Sequence, residues 1–152
     1  MDNNFDFFVG TWTSQQRRLR ERLAGSDDWD EFPGTHSCWS VLDGAGNFDE
    51  AVFPTLGFSG VTLRLYDKSR DEWSLYWASS TSGLSLPPVV GRFGDDGRGA
   101  FTCGDVYHGR PITVRYLWLD ITPTTCRWEQ AFSTDGGATW ETNWIAEFTR
   151  TG

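Results

Sequence analysis

The segment "CRWEQAFSTDGGATWETNWIAEFTR", residues 126–150, decides the fold. Its first limb sets Cys126, Trp128, Gln130 and Phe132 on one side, opposite Arg127 and Glu129. Its second limb groups Trp140, Trp144, Ala146 and Phe148. Alternation with a period of two marks half-buried antiparallel strands. Between the limbs, Gly136 and Gly137 permit positive φ, Ser133 and Asp135 can hydrogen-bond the turn backbone, and Trp140 can cover the corner. The segment reads as two strands stitched by a turn, and the turn is assigned no catalysis.

The same period runs through the rest of the chain. In "GVTLRLYD" Val61, Leu63 and Leu65 oppose Thr62, Arg64 and Tyr66, and "EWSLYWAS" puts Trp73, Leu75 and Trp77 together. "RPITVRYLWLD" places Ile112, Val114, Tyr116 and Trp118 opposite Thr113 and Arg115. With the long first run "GTWTSQQRRLRERL" and segments near 35–42, 46–53 and 88–93, about ten strands are expected. Turn signals such as "YDKSRDEW", "FGDDGRG" and "VYHGRP" separate them. Short connections favour a meander, and closing it into an up-and-down barrel removes exposed edges. The expected fold is all-β: one antiparallel barrel domain over residues 1–152 with an internal cavity.

Composition narrows the function. Nine Trp, eleven Phe and four Tyr in 152 residues supply a large aromatic interior. A net charge of -8 argues against nucleic acid as a partner, because a phosphate backbone is bound by a positive footprint. The start "MDNNFDFFVG" has neither a basic n-region nor a long apolar run, so no leader and no membrane span are expected. Cys38, Cys103 and Cys126 are odd in number and lack metal-like spacing, which fits reduced thiols in a cytoplasmic protein. One disulfide with an orphan cysteine is the alternative.

Three resemblances bear on this reading. Ser133, Asp135, Gly137, Thr139 and Trp140 fit S-x-D-x-G-x-T-W, which resembles the Asp-box of sialidase propeller blades. No period of about 40 residues accompanies it, as a propeller needs, so the corner reading stands. Gly10-Thr11-Trp12 resembles the G-x-W opening of lipocalins and related calycin barrels. That likeness implies a late basic residue packed on the Trp, and Arg150 matches. Over nearly its whole length the chain resembles calycin-like bacterial proteins of the DUF1579-type group. The segments "GNFDE", "LRLYD", "PPVVGRF", "GRPITVRYLW", "RWEQAFSTDGGATWETNW" and "EFTR" carry that likeness. It implies a barrel with a cavity and no settled activity. The chain departs from nitrobindin-type haem barrels, since its late strands hold no histidine.

If Trp12 points inward, so should Trp73, Trp77, Tyr116, Trp118, Trp128, Trp144 and Phe148. Such a face either fills a core or lines a small-ligand cavity. The binding candidates are Trp39, Trp77, Tyr116, Trp118, Trp128, Gln130 and Trp144. The catalytic candidates are His36, Tyr116 and Glu129. A histidine titrates near neutrality, and a buried tyrosine or carboxylate can move a proton. Glu129, with Arg115, Asn143 and Glu147, would line the cavity only if the faces were inverted. In "RRLRER" Arg18, Arg20 and Arg22 share a strand face, as a solvated rim or as a cationic mouth. Asp27, Asp28, Asp30 and Glu31 follow and can pair with them across a hairpin. Asp49 and Glu50 form an acidic pair that could hold a cation or act as a base.

No nucleophile elbow is visible, and two distant histidines make no zinc or haem set, so no cofactor or metal is expected. The function expected is binding of a small, largely apolar or aromatic molecule. The alternative is a cofactor-independent cyclase or isomerase using the same cavity, as in natural-product biosynthesis. A filled structural module is the third reading. Oligomeric state, a homodimer included, is left open.

Overall fold

A computed structural model describes residues 5–152. Met1–Asn4, the start of the stretch read above for a leader, lie outside the described residues. After a 3-10 turn at Asp6–Phe8 come β1 (Gly10–Leu19), β2 (Trp29–Val41), β3 (Gly46–Phe53), β4 (Phe58–Asp67) and β5 (Glu72–Ser79). They are followed by β6 (Gly83–Leu84), β7 (Val89–Phe93), β8 (Gly99–Tyr107), β9 (Arg110–Leu119), β10 (Thr125–Ser133) and β11 (Glu141–Arg150).

Apart from β6 and β7, consecutive strands pair antiparallel, and β1 pairs with both β2 and β11. On one side β5 pairs with β4, and on the other with β6 and β7 in turn. These two short strands therefore share one place in the sheet, and the barrel closes with ten strands. Closure leaves no long unpaired edge. Among the described residues no helix is long and apolar enough to cross a membrane.

One end of the barrel is sealed. Trp12 is buried, stacks on Phe8 at 5.2 Å, and donates its indole N–H to the Phe8 carbonyl at 2.9 Å. Arg150 lies over the Trp12 ring at 4.2 Å, as the calycin resemblance implies. Its guanidinium also donates to the carbonyls of Val9, Pro123 and Phe7. Gly10 has φ +130, and a Cβ there would strike the Arg150 side chain and the Gly152 carbonyl. The N-terminal segment is thus a plug, with Phe5 and Phe8 packed among Trp73, Phe101, Trp118 and Phe148. A smaller cluster of Phe32, Ala51 and Phe53 packs near the other end with Phe58, Trp77 and Trp144.

The corner in residues 133–140 is a stitch. The Asp135 carboxylate accepts from the Ser133 hydroxyl at 2.7 Å, the Thr139 amide at 2.9 Å and the Thr139 hydroxyl at 2.5 Å. These donors hold its pKa down to about 2. Trp140 does not continue the inward row of Trp144, Ala146 and Phe148. The register shifts between Gln130 and Ala131, so the bulge inserts Asn143 and reverses the faces before it. Trp140 consequently lies beneath Arg115, 4.3 Å from its guanidinium.

Candidate functional site

Between the plug and the open end lies a cavity of about 290 Å³. Its wall is built by period-two alternation: Trp77 comes from β5, Tyr116 and Trp118 from β9, Trp128 and Gln130 from β10, and Trp144 from β11. Tyr116 meets Trp128 edge-on at 5.1 Å, and Trp128 meets Trp144 edge-on at 5.6 Å. Edge-to-face contact suits the aromatic quadrupole and holds these rings as a wall. The faces are therefore not inverted.

Two expected residues stand elsewhere. Trp39 follows the inward Cys38 on β2, so alternation turns it outward, where it is 47% exposed and leans on Phe48. Glu129 is on the outer face of β10 and accepts from Arg127 at 2.7 Å. It drops out as a catalytic candidate. Asp49 and Glu50, being adjacent on β3, fall on opposite faces, with Asp49 buried and Glu50 exposed. The acidic pair is not a pair.

His36 does line the cavity. Burial, with Arg64 adding to it, pushes its pKa down to about 4, so the ring is neutral at pH 7. Its Nε2 lies 2.7 Å from the Ser14 hydroxyl. Ser14 accepts from Gln16 at 2.9 Å, and Gln16 accepts from the Trp144 indole at 2.7 Å. A hydrogen-bonded chain thus runs along the inner face of β1. Burial pushes the Tyr116 phenol above its ordinary range, so it is a proton donor rather than a base. All three cysteines are free, and burial pushes the Cys103 thiol on the cavity wall up to about 11.

The cavity floor carries a charge pair. Arg64 Nη2 lies 2.5 Å from Asp49, and both side chains are buried. Nη1 donates to Asn47 at 3.0 Å, and Asn47 donates to the Phe5 carbonyl at 3.0 Å. The guanidinium is also packed over Phe5, Phe8 and Trp118 at 5.2–5.4 Å. Burial pushes the Asp49 carboxyl up, and Arg64 draws it back down. Two buried donors here, Arg64 Nε and Trp118 Nε1, have no acceptor. An unmet buried N–H costs about 1–3 kcal/mol.

Gln16 and Arg64 line the cavity without having been expected there, and Ser14 and Asn47 hydrogen-bond to wall residues from behind. Ser14 and Gln16 were legible, because they keep the phase of Trp12 along β1. Arg64 was not: its strand presents Val61, Leu63 and Leu65 on the other face. Only the pairing of Thr62 with Trp77 and Arg64 with Leu75 shows that the polar face turns inward.

At the open end, Arg22 lines the cavity and Arg18 lies over Phe32, Phe58 and Trp144, whereas Arg17 and Arg20 are held in ion pairs. Arg17 pairs with Glu31 at 3.8 Å, and Arg20 pairs with Asp28 at 3.3 Å and Asp30 at 2.7 Å. β1 ends at Leu19, so the common face expected for Arg18, Arg20 and Arg22 is broken at Arg20.

Comparison with protein-family models gives no match, and comparison with curated proteins gives none. Twelve solved chains do match. One, an S-type phycobiliprotein lyase from Guillardia theta, superposes with a TM-score of 0.60 at 13% identity, covering 97% of this chain and 90% of that one. At that identity the likeness shows the fold alone: a lipocalin-like, calycin-type barrel.

Proposed function

We propose that the protein binds a small, largely apolar or aromatic molecule in the barrel cavity. The observation that carries this reading is a void of about 290 Å³ walled by edge-to-face aromatics. A filled structural module would leave no such void. Flat apolar rings fit the wall, and one ketone, hydroxyl or amide oxygen can accept from Tyr116 or Gln130 on it. Trp77, Tyr116, Trp118, Trp128, Gln130 and Trp144 are the proposed contacts. Residues 1–152 act as one domain in this reading, with the three free thiols reduced as in a cytoplasmic protein. Membership of the DUF1579-type bacterial group is part of the same proposal and stands on the segments quoted above.

Calorimetric titration with 2-naphthamide, a neutral ring with one carbonyl, tests it. One saturable site per chain is expected. Heats that never saturate would remove the reading.

A second reading is favoured by one observation: His36 is neutral, buried and hydrogen-bonded on the cavity wall. A cyclase or isomerase could use it as a base and Tyr116 as a donor, with shape and exclusion of water supplying most of the acceleration. The similar barrel of a phycobiliprotein lyase supports the view that this architecture can serve an enzyme.

A further inference from the structure

The charge on the barrel's inner surface is unevenly spent. At the floor Arg64 is neutralised by Asp49, and His36 is uncharged. At the mouth Arg18 and Arg22 take part in none of the ion pairs among the described residues. Arg22 lines the cavity, and its buried Nε has no acceptor. Its position is fixed by the next residue: Leu23 has φ 60, packs on the core, and donates its amide to Glu141 at 2.7 Å. Arg18 is laid over Trp144 at 4.9 Å.

Folding has brought two like charges together at an apolar opening, where neither makes an ion pair among the described residues. Burial first, and then Arg22, lowers the pKa of Arg18, and Asp30 draws it partly back up. A guanidinium matches a carboxylate in a planar, two-bond geometry. An anion could not be held as well at the floor, where the one cation already has its partner. Asp105, also on the cavity wall, accepts from the Val106 amide at 2.7 Å and makes no ion pair.

We propose that Arg18 and Arg22 hold a carboxylate of the bound molecule. The occupant is then an aromatic or apolar carboxylate that enters ring first and keeps its charge at the mouth. This rests on the cavity reading above and adds the ligand's chemical class and orientation. The chain carries net charge -8, so long-range steering opposes such a ligand and the selection has to be local.

The test is a matched pair of probes, 2-naphthoate and 2-naphthamide, titrated calorimetrically at neutral pH and low salt. Wild-type protein is expected to bind 2-naphthoate at least tenfold more tightly, and added salt to narrow that gap. The double variant R18Q/R22Q should bind both probes alike. R20Q, altered on the outer face, should keep the wild-type preference. Equal wild-type affinities for the two probes, or a preference that survives R18Q/R22Q, would overturn the carboxylate subsite and leave the cavity reading standing. Failure of both probes to bind wild-type protein would remove the cavity reading and the subsite with it. The comparison within wild-type protein and its salt dependence need no variant to fold.

Discussion

The two ends of the barrel use arginine in opposite ways. At the sealed end Arg150 reaches three backbone carbonyls and the face of Trp12, and just inside, Arg64 is paired with Asp49 and Asn47. At the open end Arg18 lies over Phe32, Phe58 and Trp144, Arg22 lines the cavity, and neither makes an ion pair among the described residues. The first pair holds the fold together. The second contributes little to it and is left free for another molecule. Polar groups with their partners made are structural, and those without are where a ligand's contribution is to be sought.

The largest effect that separates the ends is expected at the floor. Asp49→Asn leaves Arg64 buried without its counter-charge and should cost about 3–5 kcal/mol in urea unfolding. Replacing both partners with Leu and Met should recover most of that loss. R18Q/R22Q should leave the urea midpoint nearly unchanged, and a collapse there would erase the distinction between the two ends.

Next comes acid. The pKa of His36 is lowered from 6.5 to about 4 on folding, so the unfolded chain binds more protons between those values. Its contribution is complete above about pH 6.5 and is lost as pH falls through about 4, a loss on the order of 3 kcal/mol. Unfolding free energies measured from pH 7 to 4 should fall accordingly, and H36F should flatten the curve.

Within the cavity, Trp128→Ala should weaken 2-naphthamide by about 1–3 kcal/mol through lost ring contact. Gln130→Leu should matter less. One N–H of its amide is already given to Asn143 at 2.9 Å, so the second N–H and the oxygen are what a ligand can use. Titration should show 2-naphthol weakened more than naphthalene, because the hydroxyl loses a partner.

The smallest effect belongs to the corner. Asp135→Ala should lower the unfolding midpoint modestly and leave 2-naphthamide affinity untouched. The Asp135 pKa is depressed from 3.8 to about 2. The corner's stabilisation is therefore present above about pH 4 and lost as pH falls through 2. A variant with wild-type stability and lost binding would refute the stitch.

Legibility in the sequence followed the apolar pattern. Where large apolar residues alternate with charges, as in β9 and β10, one strand sufficed to place Tyr116, Trp118, Trp128 and Gln130. Where both faces carry apolar residues, as around Trp39 and in "GVTLRLYD", side could be assigned only through neighbouring strands. The bulge at Gln130/Ala131 is invisible to a period-two reading, so Trp140 and Asn143 were given the wrong faces. The buried Arg64–Asp49 pair was hidden for a further reason. Its members come from β4 and β3, and charged residues are inside only when partnered, which a single strand cannot show.

The central claim is that the aromatic wall encloses a ligand site. A crystal structure of the protein soaked with 2-naphthamide tests it most directly. The ring should lie among Trp77, Trp128 and Trp144, with its carbonyl oxygen toward Tyr116 or Gln130. A cavity that stays empty, with the probe absent or bound only on the outer face beside Trp39 and Phe48, would contradict it.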